Sequence, residues 1–343
     1  MPQVKQDTYL TLKDLYTQQD GKGNITSTII DLFVQCNPML EDAVTIECND
    51  GTNHKTTVRN GLPDVEFRRF YQGVPASKGE TTQVQDSTAM LESFSKVDVK
   101  LAQLSKNEKQ FRLNEANAHI QAMNNTVQEN IIYGNKGTNS AAFDGIATRY
   151  NKLSADPKND KDTIGHQIID GGGTGSTNTS IYFMGWGENG VHLIYPQGSK
   201  GGLQHQDLKE EPAYDKNGNE YRVLKDKFSW DIGLCLRNFK TCGRIANIDV
   251  EKLDTDEAAD IIKLMVQMYH RVKKHAKLAG CKLVIYVNET IETYLHLQAM
   301  NKENVRLSIK EVAGEPVLTF LGIPVKCCDA ILDNEEALTK AVA

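Results

Sequence analysis

Apolar positions recur along this chain with two different periods, and the points where the period changes divide it into regions. From Asn107 to Tyr133, Leu113, Ala116, Ile120, Met123, Val127 and Ile131 fall three or four residues apart, the stripe of one long helix that Gly134 ends. At 1.5 Å per residue this predicts a rod about 40 Å long. Its other face carries Asn114, Asn117, Gln121, Asn124, Asn125 and Gln128, amides that suit polar packing as well as they suit a solvated surface. A second helical stripe, Ile261, Leu264, Met265, Met268, Tyr269 and Val272, follows Asp254 and Glu257 as a capping pair. It closes on Lys273, Lys274, His275 and Lys277 before Gly280. A third begins at Asn288 with Ile291, Tyr294, Leu295 and Met300 inward.

Between these helices the period is short. Residues 133–175 are rich in Gly, Asn, Asp and Lys and read as loop or linker. From Ser180 onward come the strands IYFMGWG, VHLIYP, YRVLKDKFSWDIGLCLRNF and CGRIANIDV, predicted to form an antiparallel sheet, with Asn217-Gly218 as the strongest hairpin signal in the chain. After the third helix, Val305, Leu307 and Ile309 alternate, Gly314-Glu315 turns the chain, Val317–Leu321 pairs back, and Pro324 opens a last strand, VKCCDAIL. The fold class is therefore α+β. Ahead of the long helix, residues 1–45 predict an arm with Leu10, Leu12 and Leu15, then a short helix with Thr26 or Ser27 at its cap and Ile29, Ile30, Phe33 and Val34 on one face.

The segment His54–Val97 is Thr- and Val-rich on both sides of Gly73–Gly79, which carries turn chemistry. It predicts a hairpin with arms of roughly 18 residues, reaching on the order of 60 Å at 3.3 Å per residue. A compact domain of 150 residues is only about 30 to 40 Å across, so such a ribbon projects and needs a neighbouring molecule to cover it. Arg59, Arg68 and Arg69 lie on it with Asp64 and Glu66 between them. That mixture fits docking on a complementary neighbour, and it also fits an edge kept soluble by its charges.

Composition narrows the rest. The chain has 343 residues, 39% apolar and 24% charged, enough for about two domain-sized cores. The longest apolar run, Leu283–Val287, is far short of a membrane span, and the first residues lack a signal-peptide core, so a cytosol-like setting is expected. A net charge of −6 argues against a dedicated nucleic-acid binder but permits a wall that merely encloses nucleic acid. Seven scattered cysteines with no His at zinc spacing read as reduced and buried, with no metal and no cofactor expected. An enzyme reading rests on Gly171–Gly175, yet no Lys-Ser or Lys-Thr follows, and the next element reads as a strand. Cys327 and Cys328 point to opposite faces of a strand, and Glu210-Glu211 and Glu335-Glu336 read as solvated surface.

Four stretches carry a resemblance. GLPDVEFRRFYQGVPASKG (61–79), TSIYFMGWGENGVHLIYPQGSKGGLQHQDL (179–208), FSWDIGLCLRNFKTCGRIANID (228–249) and EVAGEPVLTFLGIPVKCCDAIL (311–332) are similar to the major capsid proteins of short-tailed phages in the Gp7-like group, which have the Hong Kong 97-type capsid fold. The resemblance implies an N-terminal arm and short helix (1–45) and an E-loop (46–98). It implies a P-domain over most of 99–250, with a spine helix at 107–133 and strands at 180–250, then an A-domain over most of 251–335 and a tail (336–343). It further implies a non-enzymatic protein of the virion that assembles in the host cytoplasm into hexamers and pentamers of an icosahedral shell around double-stranded DNA. A separate scaffold, a portal and a cement or decoration protein are the implied partners, with no membrane. Arg59, Asp64, Glu66, Arg68, Arg69 and Lys78 are the expected inter-subunit contacts. Lys78 lies near the loop tip, but no matching Asn or acid is apparent, so linkage is expected to be non-covalent. The rival reading is a cytosolic α/β enzyme using Gly171–Gly175.

Overall fold

The computed structural model describes residues 38–105, 107–156, 162–214, 217–253, 259–300, 307–312 and 315–340. The expected arm and first helix in residues 1–37 lie outside the described residues, as do Asp254, Glu257, Val305 and Gly314. The elements run α1 (Met39–Asp42), β1 (Thr45–Glu47), β2 (Asn53–Gly61), β3 (Glu80–Ser87), β4 (Ala89–Asp98), α2 (Val99–Leu104), α3 (Glu108–Tyr133), α4 (Ile146–Arg149) and β5 (Ile168–Asp170). They continue β6 (Asn178–Trp186), β7 (Val191–Tyr195), β8 (Gln204–Tyr214), β9 (Glu220–Leu236), β10 (Gly243–Asp249), α5 (Ile261–Ala279), β11 (Lys282–Val287), α6 (Glu289–Met300), β12 (Leu307–Val312), β13 (Glu315–Phe320) and β14 (Ile323–Cys327). Two compact units emerge: residues 90–127 with 202–231, and residues 36–89 with 128–201 and 232–343.

The larger unit is built on β6, whose nine residues are all buried. Phe183 of β6 stands opposite Gly243 of β10 on one side and Ile285 of β11 on the other. From β11 the sheet passes in parallel to β14 and then antiparallel to β13 and β12. β7 takes β1 in parallel and residues 233–236 of β9 antiparallel. Among the strands of 180–250, β6 with β10, β7 with β9 and β8 with β9 pair antiparallel as predicted, while β6 meets β7 in parallel; β1, β5 and β14 add further parallel neighbours and make the whole sheet mixed. From the 180–250 region, β6 shares a ladder with β11.

One face is covered by α5. Asp260 caps it by accepting the Lys263 N–H at 3.0 Å, and Gly280 at φ +70° ends it, a left-handed position that costs glycine little. Ile261, Met265, Met268 and Val272 of α5 pack with Ile181, Phe183, Ile245, Ile285 and the α6 residues Ile291 and Leu295, all essentially without solvent contact. Asn288 caps α6 through the Ile291 N–H, as predicted.

In the smaller unit, β8 and β9 pair from Gln204–Ser229 to Tyr214–Glu220 around Gly218, the predicted hairpin. Phe111 of α3 packs with Val97, Leu101 and Ala102, and Arg112 donates to both oxygens of the buried Asp226 and to Asp207 at 2.9 Å. Leu113, predicted inward, is half exposed because Phe111 holds the inward place. Some amides of α3 pair along the helix itself, Gln110 with Asn114 and Gln121 with Asn125.

Glu335 overturns its expected place on the surface. It is buried, and its carboxylate accepts from Arg244 at 2.9 Å, from Tyr133 at 2.6 Å, from Tyr182 and from Ser180. Arg244 also donates to the Tyr150 carbonyl. Burial disfavours the guanidinium's charge, but Tyr182 and Glu335 hold its pKa above the ordinary value. Asp42 forms a second tie. It accepts from Lys282 and Lys326, each at 2.7 Å, and from Tyr286 at 2.9 Å, whose hydroxyl in turn accepts from Trp186. Burial pushes this carboxyl up, yet those bonds hold it below its usual value.

Removing one partner of the Arg244–Glu335 pair leaves a buried charge alone. Arg244→Met or Glu335→Gln is expected to cost about 3–5 kcal/mol in urea unfolding, and the double variant Arg244→Met/Glu335→Leu clearly less than the sum of the singles. A depressed carboxyl contributes stability above its unfolded pKa and loses it as pH falls through the folded one. Asp42→Asn is therefore expected to cost about 2 kcal/mol at pH 6. Unfolding curves should show that deficit shrinking as pH drops below 3.8.

Candidate assembly surface

β2 and β3 form a two-stranded sheet of their own, in register from Asn53–Ser87 to Arg59–Thr81 and on to Gly61–Glu80 across an irregularity. Their nine and eight residues make paired arms of about 30 Å, half the expected reach. The second expected arm ends early because β4 pairs with β9 instead of continuing the hairpin. Residues Thr81–Gln85 are all exposed, so the hairpin has scarcely any core of its own.

Its base is fastened where the sequence is polar. Asn49 brackets Lys55 with two hydrogen bonds of 2.8 Å, Lys55 reaches Asp50 at 2.5 Å, and Thr88 donates to the Thr52 carbonyl. Asp86, opposite His54, is buried. It pairs with Arg149 of α4 at 2.8 Å and accepts the Leu236 N–H of β9. A Cβ at Gly233 would lie 2.6 Å from the Ser87 carbonyl oxygen, so β9 and the end of β3 meet only because that residue is glycine.

The arms are joined by residues 62–79, which are exposed throughout. The chain reverses at Arg69–Gln72, ahead of the predicted Gly73–Gly79, with Gln72 donating to the Arg69 carbonyl and Tyr71 at φ +64°. Ser77 ties the two sides by donating to the Asp64 carbonyl at 2.9 Å. Phe67 (106%), Phe70 (92%) and Tyr71 (107%) stand fully in solvent, with Leu62 and Val65 beside them in sequence. Rings of this kind bury about 150–250 Å² each when covered, which places the unmet apolar area at the upper end of what a monomer shows.

Asp64, Glu66, Arg68, Arg69 and Lys78 all lie on this exposed loop. Arg59 sits apart, on β2, where it lines a groove of about 430 Å³ with Arg237, Lys240 and Asp162. The expected contact residues are thus one loop cluster plus a separate cation. Sequence reading missed the rings; the signal was present in Val65-Glu66-Phe67-Arg68-Arg69-Phe70-Tyr71, where apolar and charged residues interleave without a strand's period.

The Gly171–Gly175 loop offers no phosphate cradle. The N–H groups of Gly171 and Gly173 donate to the Ala246 and Asn247 carbonyls, that of Gly172 to Asp170, and the strand β6 follows. Cys328 is buried and Cys327 partly exposed, in keeping with adjacent residues on opposite faces.

The sequence matches the family described as Major capsid protein GP7 over residues 20–339. Among solved structures it is similar to the near-atomic structure of bacteriophage epsilon15, with 36% identity, a TM-score of 0.76 and coverage of 99% of this chain and 100% of that one. Weaker likenesses include the bacteriophage JBD30 capsid (9% identity, TM-score 0.48, 87% and 92% covered) and the capsid of the native GTA particle (10%, 0.45, 64% and 91%). No curated protein matches the chain.

Loss of the Asp86 carboxylate should free the hairpin base. Asp86→Ala is expected to cost about 3 kcal/mol. Hydrogen exchange should speed up across residues 53–61 and 80–87, while the α5 amides keep their protection relative to global stability.

Proposed function

Because this chain belongs to the major capsid protein GP7 family, we propose that it builds the icosahedral head shell of a tailed bacteriophage, with the β2–β3 loop as the limb by which each copy holds the next. Membership of the family makes it a component of the virion capsid and supports a structural, non-enzymatic role. The observation that carries the limb reading is the set of rings at Phe67, Phe70 and Tyr71, exposed on a loop whose base is held by buried polar ties. A second copy supplies the cover that the loop lacks. Asp64, Glu66, Arg68 and Arg69 set the register of the contact, and Arg59 in its groove offers a separate cationic patch. Residues 46–98 then act as the E-loop, with the P-domain and A-domain roles shared among the remaining strands and helices.

Each contact of this size is weak alone, and the shell's stability comes from many made together, which lets misplaced copies leave. Linkage through Lys78 is non-covalent, so no ladder is expected on a denaturing gel. A separate scaffold, a portal and a cement protein complete the assembly. The packaged double-stranded DNA meets the wall without sequence preference, consistent with a net charge of −6.

Two variants test the limb. Phe67→Ser/Phe70→Ser and Arg68→Glu/Arg69→Glu are expected to leave circular dichroism and melting unchanged, since none of the four side chains is buried. In negative-stain microscopy and sedimentation both should fail to form the shells that the parent forms with its scaffold. Normal shells from either variant would refute its residues' role.

A further inference from the structure

Where the hairpin base meets the sheet, His54 of β2, His192 of β7 and Cys235 of β9 bring a nitrogen, a nitrogen and a sulfur within 4.8 Å of one another. His192 and Cys235 are cross-strand partners, and His54 stands opposite Asp86. His192 and Cys235 have essentially no solvent contact. Among the described residues neither ring nitrogen of His192 has a well-formed hydrogen-bond partner, nor has Nδ1 of His54; the Gly187 backbone interacts with the His192 ring only weakly. A buried imidazole unmet on both nitrogens is unfavourable unless a further group occupies the space it faces.

The ring geometry fits one such occupant. The two imidazole centroids are 5.5 Å apart with planes at 84°. Two imidazoles on one tetrahedral ion, with nitrogens at about 2.0–2.1 Å from it, place their centroids about 5 Å apart. Ligand atoms on such an ion lie about 3.3–3.6 Å apart, so the three, now within 4.8 Å of one another, close by at most about 1.5 Å on binding.

We propose that His54, His192 and Cys235 form a site for a single borderline-soft divalent cation of the zinc class, clasping the hairpin base to the sheet. Two nitrogens and a sulfur select such an ion over magnesium or calcium, which take oxygen ligands. On binding, Cys235 loses its thiol proton to solvent and the thiolate bonds the metal, and water or the neighbouring Asp86 carboxylate fills the fourth position. Burial keeps both imidazoles neutral, pushing His192 down to about 4 and lowering His54 as well. Burial also raises the Cys235 thiol, with Asp86 adding to the effect, so the metal itself must displace that proton. Arg149 and Arg237 are the cations whose charge bears on this cluster, Arg149 through Asp86. No sequence spacing announces such a site, because the three ligands are far apart in sequence and converge only when β2, β7 and β9 come together.

The test uses the full chain, stripped with a chelator and titrated with cobalt(II) and then zinc(II). One cobalt per chain is expected, with a sulfur-to-cobalt charge-transfer band in the near ultraviolet that stoichiometric zinc abolishes. Cys235→Ser should lose the band, and His192→Gln and His54→Gln should each weaken zinc binding at least about 10-fold. His54 is only half buried, so its variant remains informative if His192→Gln does not fold. No cobalt uptake, which would leave a bound water as the occupant, overturns the proposal. So does uptake without the charge-transfer band, or binding that Cys235→Ser and His54→Gln leave unchanged.

Discussion

The governing constraint is an apolar loop that the described residues leave uncovered. The rings of Phe67, Phe70 and Tyr71 face water, and among the described residues the strands that carry them have only each other as sheet partners. A hairpin in that condition is marginal, and its stable state is one in which another surface takes the rings out of water. The same rings buried inside one subunit would add stability and leave this loop without the apolar surface that the proposed contact uses. In the proposed limb role the ties at the base would matter, because a limb that swings freely loses more entropy on docking than one already held in place.

Much of this was legible in the sequence where a local rule decides the outcome. The period of α5, the Asn217-Gly218 turn and the cap at Asn288 each follow from residues within one element, and each is found in the structure. The hairpin's existence was legible too, but not its length. Residues 89–98 have the composition of a strand whichever partner they take, and pairing with β9 is settled by tertiary packing. The same limit hid Leu113 and the mixed direction of the sheet.

The candidate surface was half legible. Its charges could be read as a register device, while the rings among them looked like ordinary strand residues until the loop was seen to form no strand. Buried polar groups were the least legible. Glu335 beside Glu336 reads as surface because a lone glutamate is almost never buried, and its partner Arg244 lies 91 residues away. Asp42 and Asp86 are similar cases, each matched to a cation supplied by a distant element.

These buried ion pairs are costly to desolvate, and hydrophobic replacements often serve stability as well. Their effect here is positional. Asp42 fixes where the chain enters the sheet, Glu335 ties the tail to β6 and β10, and Asp86 fixes where the hairpin leaves. A charge buried with one directional partner tolerates little displacement, whereas an apolar contact slides at small cost. A shell made of identical copies needs that difference distributed in a particular way, with stiff polar ties inside each subunit and forgiving apolar contacts between subunits. In this chain the buried carboxylates lie within the folded units and the rings lie on the loop, which is the distribution such a shell requires.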